Sequence, residues 1–267
     1  MKTVYHILAS ILLLQTSCIK AQKLEIQYLA NEGVFIKSSK TQLLIDVPFN
    51  KEFDYLDVLP DTELNKIENA EEQYQAIDIL LATHLHGDHF NAKVAGKHMV
   101  HNPNAQFLGP DETVSRFKEN FEGFDKISKR VQAITPSFLE SETVQLKDIE
   151  IKALRFEHLG ESPWNEAENI AYLITVDGKK ILHMGDSTPD EKSLEKYQLQ
   201  NEKIDAVILH FMLLGNKDII EKYINPKLIL AAHIPPKSQS KVQEYINSLG
   251  YNNVVTLIEQ FKTIGID

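Results

Sequence analysis

Residues 82–90 read Ala82-Thr83-His84-Leu85-His86-Gly87-Asp88-His89-Phe90 and directly follow the mostly apolar residues 77–81. The stretch places three imidazoles and one carboxylate within six residues. Neutral imidazole and carboxylate groups suit zinc or a similar divalent ion. In an extended chain His84 and His86 point the same way, because side chains alternate between two faces, whereas Asp88 and His89 can turn toward a second ion. The spacing therefore predicts two metal ions.

The pattern H-x-H-x-D-H resembles the metallo-β-lactamase superfamily. The further ligands that such a site requires occur in the expected order, as His158, Asp186 and His233, each after an apolar run rich in β-forming residues. The resemblance covers nearly the whole chain after residue 22. It includes residues 24–47, which are similar to the paired strands with which such folds begin.

The resemblance also implies a role for each ligand. Three residues would hold one metal, three would hold the second and one would bridge them: His84, His86 and His158; Asp88, His89 and His233; and Asp186. Asp46, at the end of an opening strand, would have a structural role. The ions would be zinc by preference, with manganese or iron(II) as alternatives.

Short apolar runs and helical periodicity interleave along the chain. Strands are predicted at residues 24–29, 34–36, 43–46, 77–82, 149–156, 170–176, 180–184, 206–210 and 228–232. Helices are predicted at residues 91–101, 111–119, 190–197, 218–223 and 237–249. This interleaving predicts an α/β fold. With the resemblance, it indicates a four-layer αββα sandwich of two mixed β-sheets flanked by helices.

Length and composition indicate a leader followed by one domain. A chain of 267 residues with 43% hydrophobic residues can bury a full core, and no linker divides it. Residues 1–21 are predicted to be a signal peptide, because Lys2 precedes an apolar run too short to span a bilayer. Residues 22–267 would form the hydrolase domain.

The only cysteine, Cys18, follows Ser17 in an arrangement that resembles a bacterial lipoprotein processing site. Cleavage after Ala21 is the alternative. The protein is therefore predicted to be exported, and to be either periplasmic or attached to the envelope membrane through a lipidated Cys18. The net charge of −10 argues against a nucleic-acid partner, since phosphate binding requires clustered Lys and Arg.

Three further histidines have open roles. His210 ends an apolar strand, where related sequences tend not to place a histidine, and we predict that it is a proton donor or substrate contact in the catalytic site. His98 and His101 are three residues apart on a predicted helix and are expected to be solvated.

Three other features lie near the predicted site. His183 is expected to face away from Asp186 and to serve packing. Trp164 follows His158 in a loop and is a candidate for the pocket wall. Residues 55–75 are acidic and poorly periodic, so we interpret them as a surface insertion that borders the pocket.

The predicted chemistry is hydrolysis. Two adjacent divalent ions lower the pKa of a bridging water enough to supply hydroxide and polarise the scissile bond, and Asp88 would orient this nucleophile. The site would carry net positive charge, so an anionic small molecule is a possible substrate. True zinc β-lactamases lack the bridging acid, and redox di-iron relatives have glutamate at the position of His86. Both differences argue against those activities here.

The ligand order is most similar to the branch that contains ascorbate-phosphate lactonases and N-acyl-phosphatidylethanolamine phospholipase D. The leading hypothesis is a hydrolase of a lactone, ester or related small molecule. The alternatives are a phosphodiesterase of the same fold and a non-catalytic binding protein anchored by metal.

Overall fold

The computed structural model describes residues 24–47 and 55–267. The predicted signal peptide at residues 1–21, with Cys18, lies outside the described residues. Within the described ranges, no helix has the length and apolar character needed to cross a membrane.

The first sheet has seven strands, numbered along the chain: β1 (Leu24–Ala30), β2 (Gly33–Lys37), β3 (Gln42–Ile45), β4 (Ile79–Leu81), β5 (Gln106–Gly109), β6 (Val131–Ala133) and β15 (Thr263–Ile266). Their order is β15-β1-β2-β3-β4-β5-β6. Pairs from β15 to β3 are antiparallel, and pairs from β3 to β6 are parallel. Asn31 and Glu32 form the turn between β1 and β2. Asn31 has φ 56°, a conformation that asparagine tolerates.

The second sheet has eight strands: β7 (Ser141–Leu146), β8 (Ile149–His158), β9 (Asn169–Val176), β10 (Lys179–His183), β11 (Ser187–Thr188), β12 (Ala206–His210), β13 (Leu228–Ala232) and β14 (Val254–Thr256). Their order is β11-β8-β9-β10-β12-β13-β14, with β7 also paired to β8. Pairs among β7 to β11 are antiparallel, and those from β10 through β12 and β13 to β14 are parallel. Both sheets are therefore mixed.

The helices cover the outer faces of the two sheets. The first sheet packs against α1 (Asp61–Glu68), α2 (Ala92–His101), α3 (Asp111–Asn120) and α4 (Phe124–Ile127). The second packs against α5 (Glu191–Tyr197), α6 (Lys217–Tyr223) and α7 (Gln239–Ser248). A third apolar layer fills the space between the sheets. The predicted four-layer αββα sandwich is confirmed.

Alternation along a buried strand produces these layers. In β12, Ala206 and Ile208 belong to the layer between the sheets, whereas Val207 and Leu209 pack against the helices. A strand covered on both faces is apolar at every position, because successive side chains point to opposite sides. For this reason the sequence of β12 reads as a continuous apolar run.

The ends of several strands meet at one edge of the molecule. β8 is antiparallel to β9, and β9 is antiparallel to β10, so β8 runs in the same direction as β10, β12 and β13. The carboxyl ends of these four strands therefore share an edge. The Ile170 amide donates to the Thr83 carbonyl at 3.0 Å, so the segment after β4 of the first sheet reaches the same edge.

The prediction for residues 55–75 is partly wrong. The segment contains α1, and Ile67 and Tyr74 are buried in the layer beneath the first sheet. The sequence gives no clear helical period because Ile67 is the only buried residue of α1.

The prediction that His98 is solvated is also wrong. His98 is fully buried, and its Nδ1 donates to the Ile67 carbonyl at 2.6 Å. His101 is exposed and donates to the Glu68 carbonyl at 2.9 Å.

Candidate metal centre

The structure brings the seven predicted ligands together at the shared strand edge. Four lie in the loop after β4, one ends β8, one follows β10 and one follows β13: His84, His86, Asp88 and His89; His158; Asp186; and His233. They fall into two groups. His84, His86 and His158 form one, and Asp88, His89, Asp186 and His233 form the other; within each group, one ligand atom per residue lies within 4.8 Å of the others.

In the three-histidine group, the two Nε2 atoms of His84 and His158 face each other at 3.2 Å. His158 Nδ1 donates to the Leu159 carbonyl at 2.6 Å, so its Nε2 carries a lone pair. The Thr83 hydroxyl donates to Asp46 and is 3.0 Å from His84 Nδ1. His84 Nδ1 therefore donates to that hydroxyl, which leaves its Nε2 with a lone pair as well. Two lone pairs that face each other repel, and a cation bound by both nitrogens would replace this repulsion with attraction.

Burial keeps the three histidines neutral. It lowers the pKa of His84 well below the ordinary value, that of His86 to about 4, and that of His158 to a smaller extent. The charges of neighbouring histidines act in the same direction. Neutral imidazole is the form that binds metal, so the group presents free nitrogen lone pairs at pH 7.

The second group combines two carboxylates with two histidines. Asp88 Oδ2 lies 3.2 Å from His233 Nε2 and 3.5 Å from His89 Nε2. Asp186 Oδ2 lies 3.6 Å from the Nε2 atoms of both His89 and His158. Asp186 is therefore equally close to a member of each group, as a bridging ligand must be.

Protons on the two histidines of the second group balance the negative charge of its two carboxylates. Burial would raise the pKa of the Asp88 and Asp186 carboxyls, but the charges of His89 and His233 outweigh it and lower both. Burial would lower the pKa of His89 and His233, yet the two carboxylates raise both. In the absence of a metal, the protons on the histidines supply positive charge that a cation would replace.

Two buried atoms of this group support the fit to metal. His89 Nε2 and Asp186 Oδ1 are inaccessible to water and have no hydrogen-bond partner. A buried polar atom without a partner costs about 1–3 kcal/mol. Together with the imidazole and carboxylate chemistry, these orphaned atoms indicate that the cluster can hold divalent metal.

Asp46, at the end of β3, links the loop to the first sheet. Its Oδ1 accepts from the Thr83 amide at 2.7 Å, and its Oδ2 accepts from the Thr83 hydroxyl at 2.6 Å and His89 Nδ1 at 2.9 Å. This holds the His89 ring in one orientation, with its Nε2 facing the second group. These contacts agree with the structural role expected for Asp46, which is to hold Thr83 and His89 in place.

The β1–β2 turn supports the second group from below. The Asn31 carbonyl accepts from the His233 amide at 3.1 Å, and Asn31 Nδ2 lies 3.4 Å from both the backbone carbonyl and Oδ2 of Asp88. This role of Asn31 could not be predicted from the sequence, because a short hairpin turn carries no signal for a contact with residues so far along the chain.

A third buried group contains Glu32, Asp46 and His183. His183 Nε2 donates to the Glu32 carbonyl at 3.0 Å, and its Nδ1 accepts from the Gly185 amide at 3.2 Å. Both ring nitrogens are therefore engaged within the protein. These contacts match the packing role predicted for His183.

Gly185 allows the turn that presents Asp186. Its φ is +53°, and a Cβ atom there would lie 2.7 Å from the Thr83 side chain. Only glycine fits this close approach. The antiparallel pairing of Ser187 with His158 then holds Asp186 beside the end of β8.

A cavity of about 350 Å³ opens over both groups. Besides five of the ligands, its lining comprises Tyr55, Leu159, Gly160, Trp164, His210 and Met212. Trp164 lines the cavity as predicted, whereas Tyr55 is the only residue of the segment 55–75 in its lining. Met212 was not foreseen, because it lies outside the predicted strands and helices.

His210 lies over the second group. Its ring centroid is 4.4 Å from that of His233, and its Nδ1 accepts from the Met212 amide at 3.2 Å. The proton of the neutral ring is therefore on Nε2. Burial and the neighbouring His233 lower the pKa of His210 to about 3, so the side chain is a neutral hydrogen-bond donor at pH 7.

Two mixed sheets between helices, with a His/Asp cluster at one strand edge, are characteristic of metal-dependent hydrolases with the metallo-β-lactamase fold. The chain belongs to the family described as the beta-lactamase superfamily domain, whose model matches residues 51–250. A search of curated proteins gives no match.

Solved structures with the same fold cover most of the chain. A metallo hydrolase, Igni18 from Ignicoccus hospitalis, is 17% identical, with a TM-score of 0.61 and coverage of 92% of this chain and 99% of that one. YhfI from Bacillus subtilis, a metallo-beta-lactamase fold protein, is 12% identical, with a TM-score of 0.64 and coverage of 91% and 100%. An isothiocyanate hydrolase from Delia radicum gut bacteria is 12% identical, with a TM-score of 0.59 and coverage of 90% and 98%. At these identities the likeness shows the fold alone.

Proposed function

We propose that the protein is a dinuclear metal-dependent hydrolase that cleaves a lactone, ester or related bond of a small molecule. The observation that carries the proposal is that two ligand groups are adjacent, with Asp186 Oδ2 3.6 Å from a histidine of each. One group alone would support a single structural ion. Two adjacent groups that open into a cavity support hydrolysis.

Each ligand has a proposed place. His84, His86 and His158 would hold one ion through nitrogen. Asp88, His89 and His233 would hold the second, and Asp186 would bind both. Zinc suits this set because imidazole and carboxylate are its common ligands; manganese and iron(II) remain alternatives. When bound, two such ions supply hydroxide from water at neutral pH and polarise the scissile carbonyl.

Asp88 and His210 are the proposed catalytic residues. Asp88 lines the cavity, and its lowered pKa keeps its carboxylate ionised at pH 7. It would orient the attacking water through a carboxylate oxygen, accept its proton and return that proton to the leaving alcohol. His210 would donate from Nε2 to the substrate oxygen that becomes negative.

The alternatives have less support. A phosphodiesterase has the same ligand requirements, but no Lys or Arg is among the described residues that line the cavity. Arginine and lysine are the usual partners of phosphate oxygens. A non-catalytic binding protein would tolerate the loss of terminal or bridging ligands, whereas all seven are present here.

The test combines metal content with turnover. Protein loaded with zinc should hold about two ions per chain by elemental analysis and should hydrolyse members of a lactone and ester panel. His84→Ala should lose metal, and Asp88→Asn should lower kcat by at least about 100-fold. His101→Ala, a histidine outside the site, is the matched control. Turnover of bis-phosphodiesters alone, or fewer than one ion per chain, would overturn the proposal.

A further inference from the structure

We infer that the site takes an uncharged ester or lactone that carries an aromatic or alkyl group, and that this group lies against Trp164 and Met212. The inference rests on the proposed function and specifies its substrate class. It comes from the walls of the cavity, whereas the proposed reaction comes from the ligands at its floor.

Exposed apolar side chains are concentrated at the cavity. The described part of the chain has seven large hydrophobic side chains that are exposed: Tyr55, Val100, Phe138, Trp164, Met212, Tyr245 and Phe261. Three of them, Tyr55, Trp164 and Met212, line this one cavity. Trp164 is 57% exposed and Met212 is 58% exposed. Apolar side chains gathered around a polar floor are typical of a ligand site.

Trp164 is fixed beside the three-histidine group. Its ring centroid is 5.3 Å from that of His86, with the rings nearly perpendicular at 80°. Its amide donates to the Glu161 carbonyl at 2.9 Å. A substrate group that touches the indole is therefore close to a proposed metal ligand.

Met212 lines the same cavity and is linked through His210 to the second group. Its amide donates to His210 Nδ1, and His210 packs against His233. Trp164 and Met212 thus flank the cavity from the two ligand groups. An apolar substituent between them would keep the adjacent carbonyl over Asp186.

The cavity walls lack basic side chains. No Lys or Arg occurs among the described lining residues. The positive charge of bound metal would be matched by the oxyanion that develops during hydrolysis, so the substrate needs no anionic group of its own. An anionic substrate, the possibility raised by the positive charge of the metals, is the competing prediction. A cavity of about 350 Å³ has room for one ring or a short chain.

Esters with a common leaving group test the inference. With zinc-loaded full-length protein, kcat/KM for 4-nitrophenyl hexanoate should exceed that for the acetate by about tenfold or more, as expected when several methylene groups leave water. The anionic hemisuccinate should react more slowly than the acetate. Trp164→Ala and Met212→Ala should each reduce the hexanoate preference to about threefold or less. Phe138→Ala, an exposed aromatic outside the cavity, should retain it.

Binding can be measured separately from turnover. Trp164 is the only tryptophan, so its fluorescence reports on this cavity. Hexanamide should change the emission saturably, whereas acetamide and succinamate at the same concentrations should not. Met212→Ala should weaken the hexanamide response, and Phe138→Ala should leave it intact.

The outcomes separate the two proposals. Ester turnover without a hexanoate preference and without a fluorescence response overturns the inference and leaves the proposed function standing. A fluorescence response without any ester or lactone turnover overturns the proposed function and supports the apolar site. Preference for the hemisuccinate also overturns the inference.

Discussion

Asp46 shows how one buried carboxylate organises the candidate metal centre. It accepts three hydrogen bonds, two from Thr83 and one from His89. The Thr83 hydroxyl in turn hydrogen-bonds His84 Nδ1, so a single side chain orients a ligand in each group. Such hydrogen bonds behind the ligands align them before a metal arrives.

Replacement of Asp46 by asparagine should weaken metal binding. The amide has one accepting oxygen, and its NH₂ group would face either the His89 Nδ1–H or the Thr83 donors. We expect about a 10- to 100-fold loss of zinc affinity, with a similar loss of activity. Competition with a chromogenic chelator measures the affinity.

Asp205→Asn is the matched control for this change. Asp205 is also buried and accepts hydrogen bonds from the Lys180 amide and Lys227, but it lies before β12, at the opposite end of that strand from His210. Equal zinc affinity in Asp46→Asn and the native protein would contradict the organising role.

Among individual residues, the sequence predicts the metal ligands, because their side chains are chemically distinctive. The ligand positions carry uncommon residue types in a specific order, so their convergence could be predicted. Asn31 and Met212 could not be predicted to reach the site, because neither has a distinctive local pattern. Their place depends on how the two sheets pack.

Among the secondary-structure elements, α1 and α2 are joined by histidines. The last carbonyl groups of a helix lack partners within the helix. His98 and His101 of α2 donate to the carbonyls of Ile67 and Glu68 at the end of α1. The two histidines therefore satisfy the carboxyl end of a neighbouring helix.

His98→Ala should destabilise the fold without removing metal. The change removes the shorter of two hydrogen bonds to the Ile67 carbonyl, which also accepts from the Ala70 amide, and opens a cavity in the buried layer, so we expect a loss of about 2–4 kcal/mol. Urea unfolding at pH 8 measures it, a pH at which His98 is neutral because burial lowers its pKa to about 4. The exposed His101→Ala should cost less than about 1 kcal/mol. An equal loss of unfolding free energy in the two variants would contradict the prediction that the buried histidine contributes more to stability.

Whether a strand could be predicted from the sequence depends on its length and on how deeply it is buried. The strands β9, β12 and β13 are buried and strongly apolar, β8 alternates between buried apolar and more exposed polar residues, and the sequence predicts all four within two residues. The strands β5, β6, β7, β11, β14 and β15 were not predicted. β7 is largely exposed with the sequence SETVQL, and the others have two to four residues. These strands form because they pair with neighbouring strands, and a local sequence pattern contains no information about that pairing.

For the whole molecule, Glu32 links stability to pH. Its carboxyl is fully buried, and neither oxygen has a hydrogen-bond partner. Burial, reinforced by the charge of Asp186, raises the pKa of Glu32 from 4.5 to about 8. Between these values the folded protein holds a proton that the unfolded chain has released. The contribution of Glu32 to stability therefore falls as pH rises through this range, and it levels off above about 8.

Glu32→Gln should remove this dependence. In metal-stripped protein, the free energy of unfolding of the variant relative to the native protein should increase from pH 5 to pH 8, by at most about 1.4 kcal/mol per pH unit. Urea titrations at several pH values measure the difference. Glu150→Gln, at an exposed position of β8, should show no such trend. A constant difference for Glu32→Gln across this range would refute the prediction.

The proposed ligands are drawn from both sheets and from distant parts of the chain. During synthesis, residues 84–89 would emerge well before His158, Asp186 and His233. The three-histidine group is complete only when β8 has packed beside the loop after β4, and the second group only when the segments after β10 and β13 have done so. Maturation would therefore end with metal uptake, and the ions would come from the compartment in which the two sheets finally assemble.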